Sequence, residues 1–127
     1  MQFGQPIGAF QAVKHQLANL KVALGYARPV VYRAAHSVAR RDASRGVHVS
    51  HAKIAAGEAG ALAARTALQV HGAIGYTWEQ DLHVWMRRAW SLELAWGSGS
   101  FHRARVADFV LAPGAEIGPG TTFAGGN

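Results

Sequence analysis

Ala67-Leu68-Gln69-Val70-His71-Gly72-Ala73-Ile74-Gly75-Tyr76-Thr77 is the stretch on which the fold turns, because one periodic segment ends inside it. From about His48 to His71 the chain reads as a helix with little side-chain bulk, with Ala52, Ala55, Ala56, Gly57, Ala59, Gly60, Ala63 and Ala64 in succession. A glycine inside a helix costs about 1 kcal/mol relative to alanine, so Gly57 and Gly60 are expected to serve close approach of a neighbouring helix. Gly72 and Gly75 supply the left-handed backbone that a helix terminus needs, and taken alone they read as a simple stop.

Working outward, Gly4, Pro6 and Gly8 open the chain as a loop, with Pro6 suited to the first turn of a long helix. Phe10, Val13, Leu17, Leu20, Leu24 and Val31 recur at helical spacing and predict one apolar face. Pro29 removes a backbone donor inside this segment, which predicts a kink near Gly25 rather than two helices. Asp42, Ser44 and Gly46 read as the turn that follows at about Arg41. Beyond the glycines, Asp81 is placed to cap a third helix to about Ala95, whose inward face is predicted to hold Leu82, Trp85, Met86, Ala89 and Leu92. Gly97, Ser98, Gly99 and Ser100 break it, and a short helix runs from about Phe101 to Leu111. There is no strand-like alternation of useful length. Residues 1–111 therefore predict one all-α domain, an up-and-down four-helix bundle, and residues 112–127 a mobile tail rich in Gly and Pro.

A chain of 127 residues removes roughly two thirds of its surface from water on folding, so a real core is possible. It contains no Cys, which excludes a disulfide framework and a thiolate metal site. No apolar run approaches the length of a membrane span and MQFGQPIGAF lacks signal-peptide character, so a soluble, cytoplasmic protein without membrane contact is expected. Thirteen Lys and Arg against seven Asp and Glu give a net charge of +6, which suits nucleic acid, acidic lipid or a phosphate-bearing cofactor without choosing among them.

Two segments resemble the acyl-CoA dehydrogenase family. The opening QFGQPIGAFQAVKHQLA is similar to the R-x-x-F-G loop that leads into the long first helix of that family's carboxy-terminal bundle. Residues 67–77 are similar to its Q-x-x-G-G-x-G-(Y/F) signature, and Glu79 with Met86-Arg87 follow where the family has an E...MR pattern. The resemblance covers about residues 2–111. It implies a flavoenzyme that introduces a double bond between the α and β carbons of an acyl-CoA, of fatty-acid or sterol side-chain type. A carboxylate takes the α proton and FAD the β hydride. Complete members have three domains, of which this is the third, so the acyl-CoA substrate is expected to meet mainly the other two. A homo- or hetero-oligomer, dimer or tetramer, is also implied, with FAD bound across a subunit interface.

Carried over residue by residue, Phe3 and Gly4 correspond to the FAD-contacting loop, and Gln69, Gly72 and Ala73 to the turn that receives the adenosine and pyrophosphate. The chemistry suits them: glycines let backbone amides approach phosphate oxygens, and an amide side chain donates and accepts at once. Met1 stands in the region of the loop arginine and Ala73 where a second glycine is usual. Without that arginine a charge-assisted contact of about 1.5–3 kcal/mol is lost, so FAD is expected to bind weakly.

Many family members carry the catalytic base in an E-G-(T/S) element that falls here on Trp96-Gly97-Ser98. Indole takes no proton, so no catalytic residue is assigned in this chain. Ser98 keeps the hydroxyl position on the flavin side, and Glu93, one turn earlier, reads as a surface or interhelical carboxylate. Three explanations stay open: a base on a helix upstream of the opening loop, a base on a partner chain, or a scaffold that has lost activity. The alternative function is a structural or oligomerisation module without turnover. His48, His51 and Glu58 form a weak metal pattern, because a bundle site needs ligands from several helices. Trp78, Trp85, Trp90 and Trp96 read as core or subunit interface rather than as nucleic-acid stacking platforms.

Overall fold

The computed structural model describes residues 4–118, and these are all helical or irregular, without a strand. A short 3-10 turn, η1 (Ile7–Ala9), leads into α1 (Gln11–Ala39). Then come α2 (Arg45–His71), a second 3-10 turn η2 (Gly72–Tyr76), α3 (Leu82–Leu94) and α4 (Gly99–Val110). The domain is thus all-α with four helices. Phe3, and the tail beyond Gly118, lie outside the described residues.

α1 and α2 form a long helical hairpin. At its turn Arg41 adopts φ 58°, the Asp42 N–H bonds the Ser37 carbonyl at 2.9 Å and the Arg41 N–H bonds that of Val38 at 3.1 Å. That pair of bonds closes a Schellman cap with Arg at the position glycine usually takes. Arg45 holds the turn by donating to the carbonyls of Arg41 and Asp42. Pro6 does not start α1 as predicted; it precedes η1, and the long helix begins at Gln11. Pro29 leaves α1 continuous. Pro29 and Gly25 are both exposed, so water can take the Gly25 carbonyl that the proline ring deprives of a donor.

The buried face of α1 keeps Val13 and Leu20 of the predicted one but not Leu17, Leu24 and Val31. Val13, Gln16, Leu20, Ala23, Ala27, Val30, Ala34 and Ser37 are half-buried or buried, at alternating spacings of three and four. Leu17, Leu24 and Val31 lie on the neighbouring stripe and are exposed. Small residues won the seam because α1 and α2 approach through alanines: among the described residues the buried apolar ones are Ala27, Ala34, Ala52, Ala59, Ala64 and, alone among large ones, Met86. Ser37 fits that dry seam by bonding its hydroxyl back to the Ala34 carbonyl at 3.0 Å.

α2 is the hub, packing against α1, α3, α4 and η2, while the other long helices make no extensive contact with one another among the described residues. Gly57 and Gly60 are not close-approach points, since a Cβ on either would meet nothing within 4 Å. On α3, Met86 is buried and Leu82 and Ala89 half-buried, but Trp85 and Leu92 face outward. Trp78, Trp85, Trp90 and Trp96 are all exposed, which removes the core reading of the tryptophans. The cause is the thin alanine seam, which leaves no volume for an indole inside.

Near the hairpin turn, Arg33 donates to His48 Nε2 at 3.0 Å. A guanidinium only donates, so Nε2 is unprotonated and the ring proton sits on Nδ1, which is buried without a partner. Burial, the Arg33 charge and the neighbouring His51 hold the His48 pKa below its ordinary value, against an opposing pull from Asp42.

Candidate functional site

Two turns carry the residues singled out in the sequence. The first ends α2. Gly72 there has φ 60° and ψ −141°, a backbone that residues with a Cβ avoid. Its N–H caps the helix by bonding the Leu68 carbonyl. Within the turn the role of Gly72 is therefore conformational, and its own N–H is engaged by its helix. The chain then doubles under itself, so that a Cβ on buried Gly75 would lie 3.0 Å from the Cβ of His71 and 3.1 Å from a Leu68 methyl. His71 folds back and donates from Nδ1 to the Ala67 carbonyl at 2.8 Å. Gln69, Gly72 and Ala73 are exposed, and the Gln69 amide makes no hydrogen bond among the described residues.

Because α1 and α2 run antiparallel across a short turn and have nearly equal lengths, the start of α1 and the end of α2 lie at one end of the molecule. Gly4, at φ 76° with open space around it, opens the chain toward that end. The first loop and the Gln69 turn are thus brought to the same end.

The second turn joins α3 to α4. Asp81 precedes α3 but makes no side-chain cap bond, whereas Ser98 caps α4 through Oγ, which accepts from the Phe101 N–H at 3.3 Å. α4 accordingly starts at Gly99, earlier than predicted. Trp96 is left-handed at φ 58° and Gly97 follows at φ 111°. What holds this backbone is His102, 5% exposed, whose Nε2 bonds the Trp96 carbonyl at 3.1 Å. A carbonyl only accepts, so Nε2 carries the proton, and in the neutral ring Nδ1 accepts from the fully buried Ser50 Oγ at 3.0 Å. The Trp96 indole itself points to solvent, 83% exposed. The sequence offered no sign of this anchor, since Ser50 and His102 are 52 residues apart.

Beside Ser98 lies a cleft of about 280 Å³ between α2, the end of α3 and the start of α4, lined by Lys53, Glu58, Glu93, Ser98 and Arg103 among others. Of its charged side chains, Lys53, Glu58 and Arg103 are already engaged. Lys53 donates to the Leu92 and Glu93 carbonyls, capping α3, and Arg103 pairs with Glu58 at 2.6 Å. Ser98 therefore sits beside the middle of α2, while Gln69 lies about four turns further along that helix, roughly 20 Å away. The structure does not bring Ser98 to the Gln69 turn. Among the described residues no three His, Asp or Glu side chains come together to hold a metal, and no helix is long and apolar enough to cross a membrane.

Residues 1–111 match the acyl-CoA dehydrogenase family, C-terminal domain. The chain is 44% identical over 89 residues to acyl-CoA dehydrogenase IpdE2 of Mycobacterium tuberculosis, covering 70% of this chain and 26% of that protein. It is 36% identical over 110 residues to 3-sulfinopropanoyl-CoA desulfinase of Paraburkholderia xenovorans, covering 87% and 28%. Over 106 residues it is 34% identical to glutaryl-CoA dehydrogenase of Desulfococcus multivorans, covering 84% and 27%. No solved structure matches the chain. The chain belongs to the acyl-CoA dehydrogenase family, as a carboxy-terminal helical domain, and spans about a quarter of the length of the curated relatives it matches.

Proposed function

We propose that this chain is the FAD-binding and oligomerising helical domain of an acyl-CoA dehydrogenase, and that it supplies no catalytic base. The observation that carries the reading is the open end of the α1–α2 hairpin, where an unengaged Gln69 amide precedes the Gly72 turn at the same end of the molecule as the Gly4 loop. These residues fit the polar half of a flavin nucleotide: an amide that both donates and accepts, and glycines without side chains to block it. Gln69, Gly72, Ala73, Gly4 and Phe3 would form one contact region. Ser98, far along α2, would form another, which suits a cofactor shared between subunits. FAD, when bound, supplies the hydride acceptor for α,β-dehydrogenation of an acyl-CoA thioester.

At the position on which the resemblance to the family's E-G-(T/S) element falls, Trp96 presents an outward indole, which cannot accept the α proton. The reaction then needs a base from elsewhere in the assembly. Its substrate, a fatty-acyl or sterol side-chain thioester, is selected outside this domain. Other relatives bear the names of a desulfinase and a glutaryl-CoA dehydrogenase, so the thioester class is shared more widely than the chemistry.

Titrating FAD with the purified chain, and following flavin absorbance and fluorescence, tests the cofactor reading. Weak binding that falls further in Gln69→Ala is expected. A folded protein that leaves the flavin spectrum unchanged at every concentration defeats it. Dye-linked oxidation of a panel of acyl-CoA thioesters should show no turnover by this chain alone; turnover would overthrow the missing-base assignment.

A further inference from the structure

His102 holds the link between α3 and α4 at two points. Its ring Nε2–H donates to the Trp96 carbonyl at 3.1 Å, and its backbone N–H donates to the Ser98 carbonyl at 3.2 Å. Two carbonyls two residues apart are thereby tied to one residue, and the backbone between them, at Gly97 and Ser98, loses most of its freedom to rotate. The ring also lies close under Gly97, since a Cβ there would stand 3.0 Å from Nε2. Ser50, fully buried on α2, bonds Nδ1 at 3.0 Å and fixes the ring against the central helix.

The side chain aimed by this arrangement is Ser98. Its Oγ is on an exposed residue, accepts from the Phe101 N–H at 3.3 Å and shares a hydrogen bond with Ser100 Oγ at 2.8 Å. Both contacts stay within residues 98–101. Among the described residues, the hydrogen bonds that refer Trp96, Gly97 and Ser98 to α2 run through the His102 ring.

We propose that His102 is a positioning residue for the flavin site: by gripping the Trp96 carbonyl it holds the Ser98 hydroxyl where that hydroxyl meets the cofactor. This rests on the reading of Ser98 as a flavin contact. A hydroxyl held in place beforehand loses little further freedom when its ligand arrives, so the grip contributes to affinity as well as to stability. The two bonds of the ring then have different consequences. The bond to Trp96 sets the direction of Ser98, whereas the bond to Ser50 satisfies a buried hydroxyl and chiefly stabilises the fold.

Two replacements separate those bonds. His102→Gln puts an amide N–H near the site of Nε2 and leaves Ser50 without its acceptor; His102→Asn puts an acceptor near the site of Nδ1 and gives up the Trp96 carbonyl. FAD is titrated into the whole chain carrying each, followed by flavin fluorescence, with circular dichroism and denaturant unfolding recording fold and stability. His102→Asn should weaken FAD binding as much as Ser98→Ala does, about two- to tenfold, the range of one hydrogen bond. His102→Gln should be less stable than the parent and yet bind FAD like it. The double variant S98A/H102N should bind no more weakly than Ser98→Ala alone, because both changes act through one hydroxyl. Unchanged affinity in His102→Asn, weakened affinity in His102→Gln, or additive loss in the double variant makes His102 a structural anchor only and overturns the proposal. Where His102→Asn fails to fold, His102→Gln decides alone, since a structural role predicts weaker binding and a positioning role does not. Failure of the flavin reading has its own pattern: the parent leaves the flavin spectrum unchanged, or Gln69→Ala and Ser98→Ala both bind like the parent, and the positioning role falls with it. Loss in those two variants with none in His102→Asn removes the role of His102 alone.

Discussion

The turn at Gly72 and the turn at Trp96 both end a helix with left-handed backbone, yet they are stabilised by different means. At Gly72 the residue type matches the conformation, and its N–H bonds a carbonyl of its own helix. At Trp96 the residue type opposes the conformation, and the turn persists because His102 grips its carbonyl from α4 while Ser50 grips His102 from α2. A left-handed residue with a Cβ costs about 1–2 kcal/mol, so the second turn is a place where tertiary structure overrides local preference. It is also the turn on which the resemblance to the family's E-G-(T/S) element falls. A turn held from outside can keep its shape when the exposed residue at its tip changes.

Mutations at the two turns should separate these mechanisms. The largest effect is expected at Gly97→Ala, where a Cβ meets the Phe101 ring at 2.9 Å and His102 Nε2 at 3.0 Å on top of a φ of 111°. Backbone strain and overpacking together predict a loss of about 4 kcal/mol in denaturant unfolding. His102→Ala should follow with about 3 kcal/mol, because it opens a cavity and strands Ser50 Oγ and the Trp96 carbonyl. If that variant unfolds like the parent, the anchor is no anchor. At the first turn, Gly72→Ala meets no neighbour and should cost only the backbone strain, about 2 kcal/mol, which calorimetry can compare with Gly97→Ala.

Trp96→Gly runs the other way. It removes the left-handed penalty from an exposed side chain and adds the flexibility of glycine to the unfolded state, so a gain of about 0.5 kcal/mol is expected. A clear loss would mean that the indole packs on something the turn needs. The smallest effect concerns a third connection, the α1–α2 hairpin. His48 has a depressed pKa when folded, so the unfolded chain binds the extra proton first as pH falls. Its contribution is full above about pH 6.5 and declines on acidification below it, so the melting temperature should drop there, and less so in His48→Gln.

Much of the fold was legible. The four helices follow from periodicity and from glycines at 72, 75, 97 and 99, and the residues 67–77 signature pointed to the family that residues 1–111 match. Of the site, the Gln69 turn was readable because a helix stop is a local event. The His102 anchor was not, since a buried histidine and an exposed one look alike until a serine 52 residues away is placed against it. The face of α1 misled for a related reason. Leu17, Leu24 and Val31 announce a buried stripe by hydrophobicity, but the neighbouring stripe, whose fully buried members are Ala27, Ala34 and Ser37, allows the closer approach to α2.

The amino acids by themselves determined where helices begin and stop and which class of protein they belong to, because capping, glycine geometry and short-range spacing act within a few residues. Only the tertiary structure decided which of two adjacent stripes on α1 meets α2, and which side chain holds the Trp96 turn. Both choices depend on steric fit and hydrogen bonding between segments far apart in the chain, and no local preference encodes them.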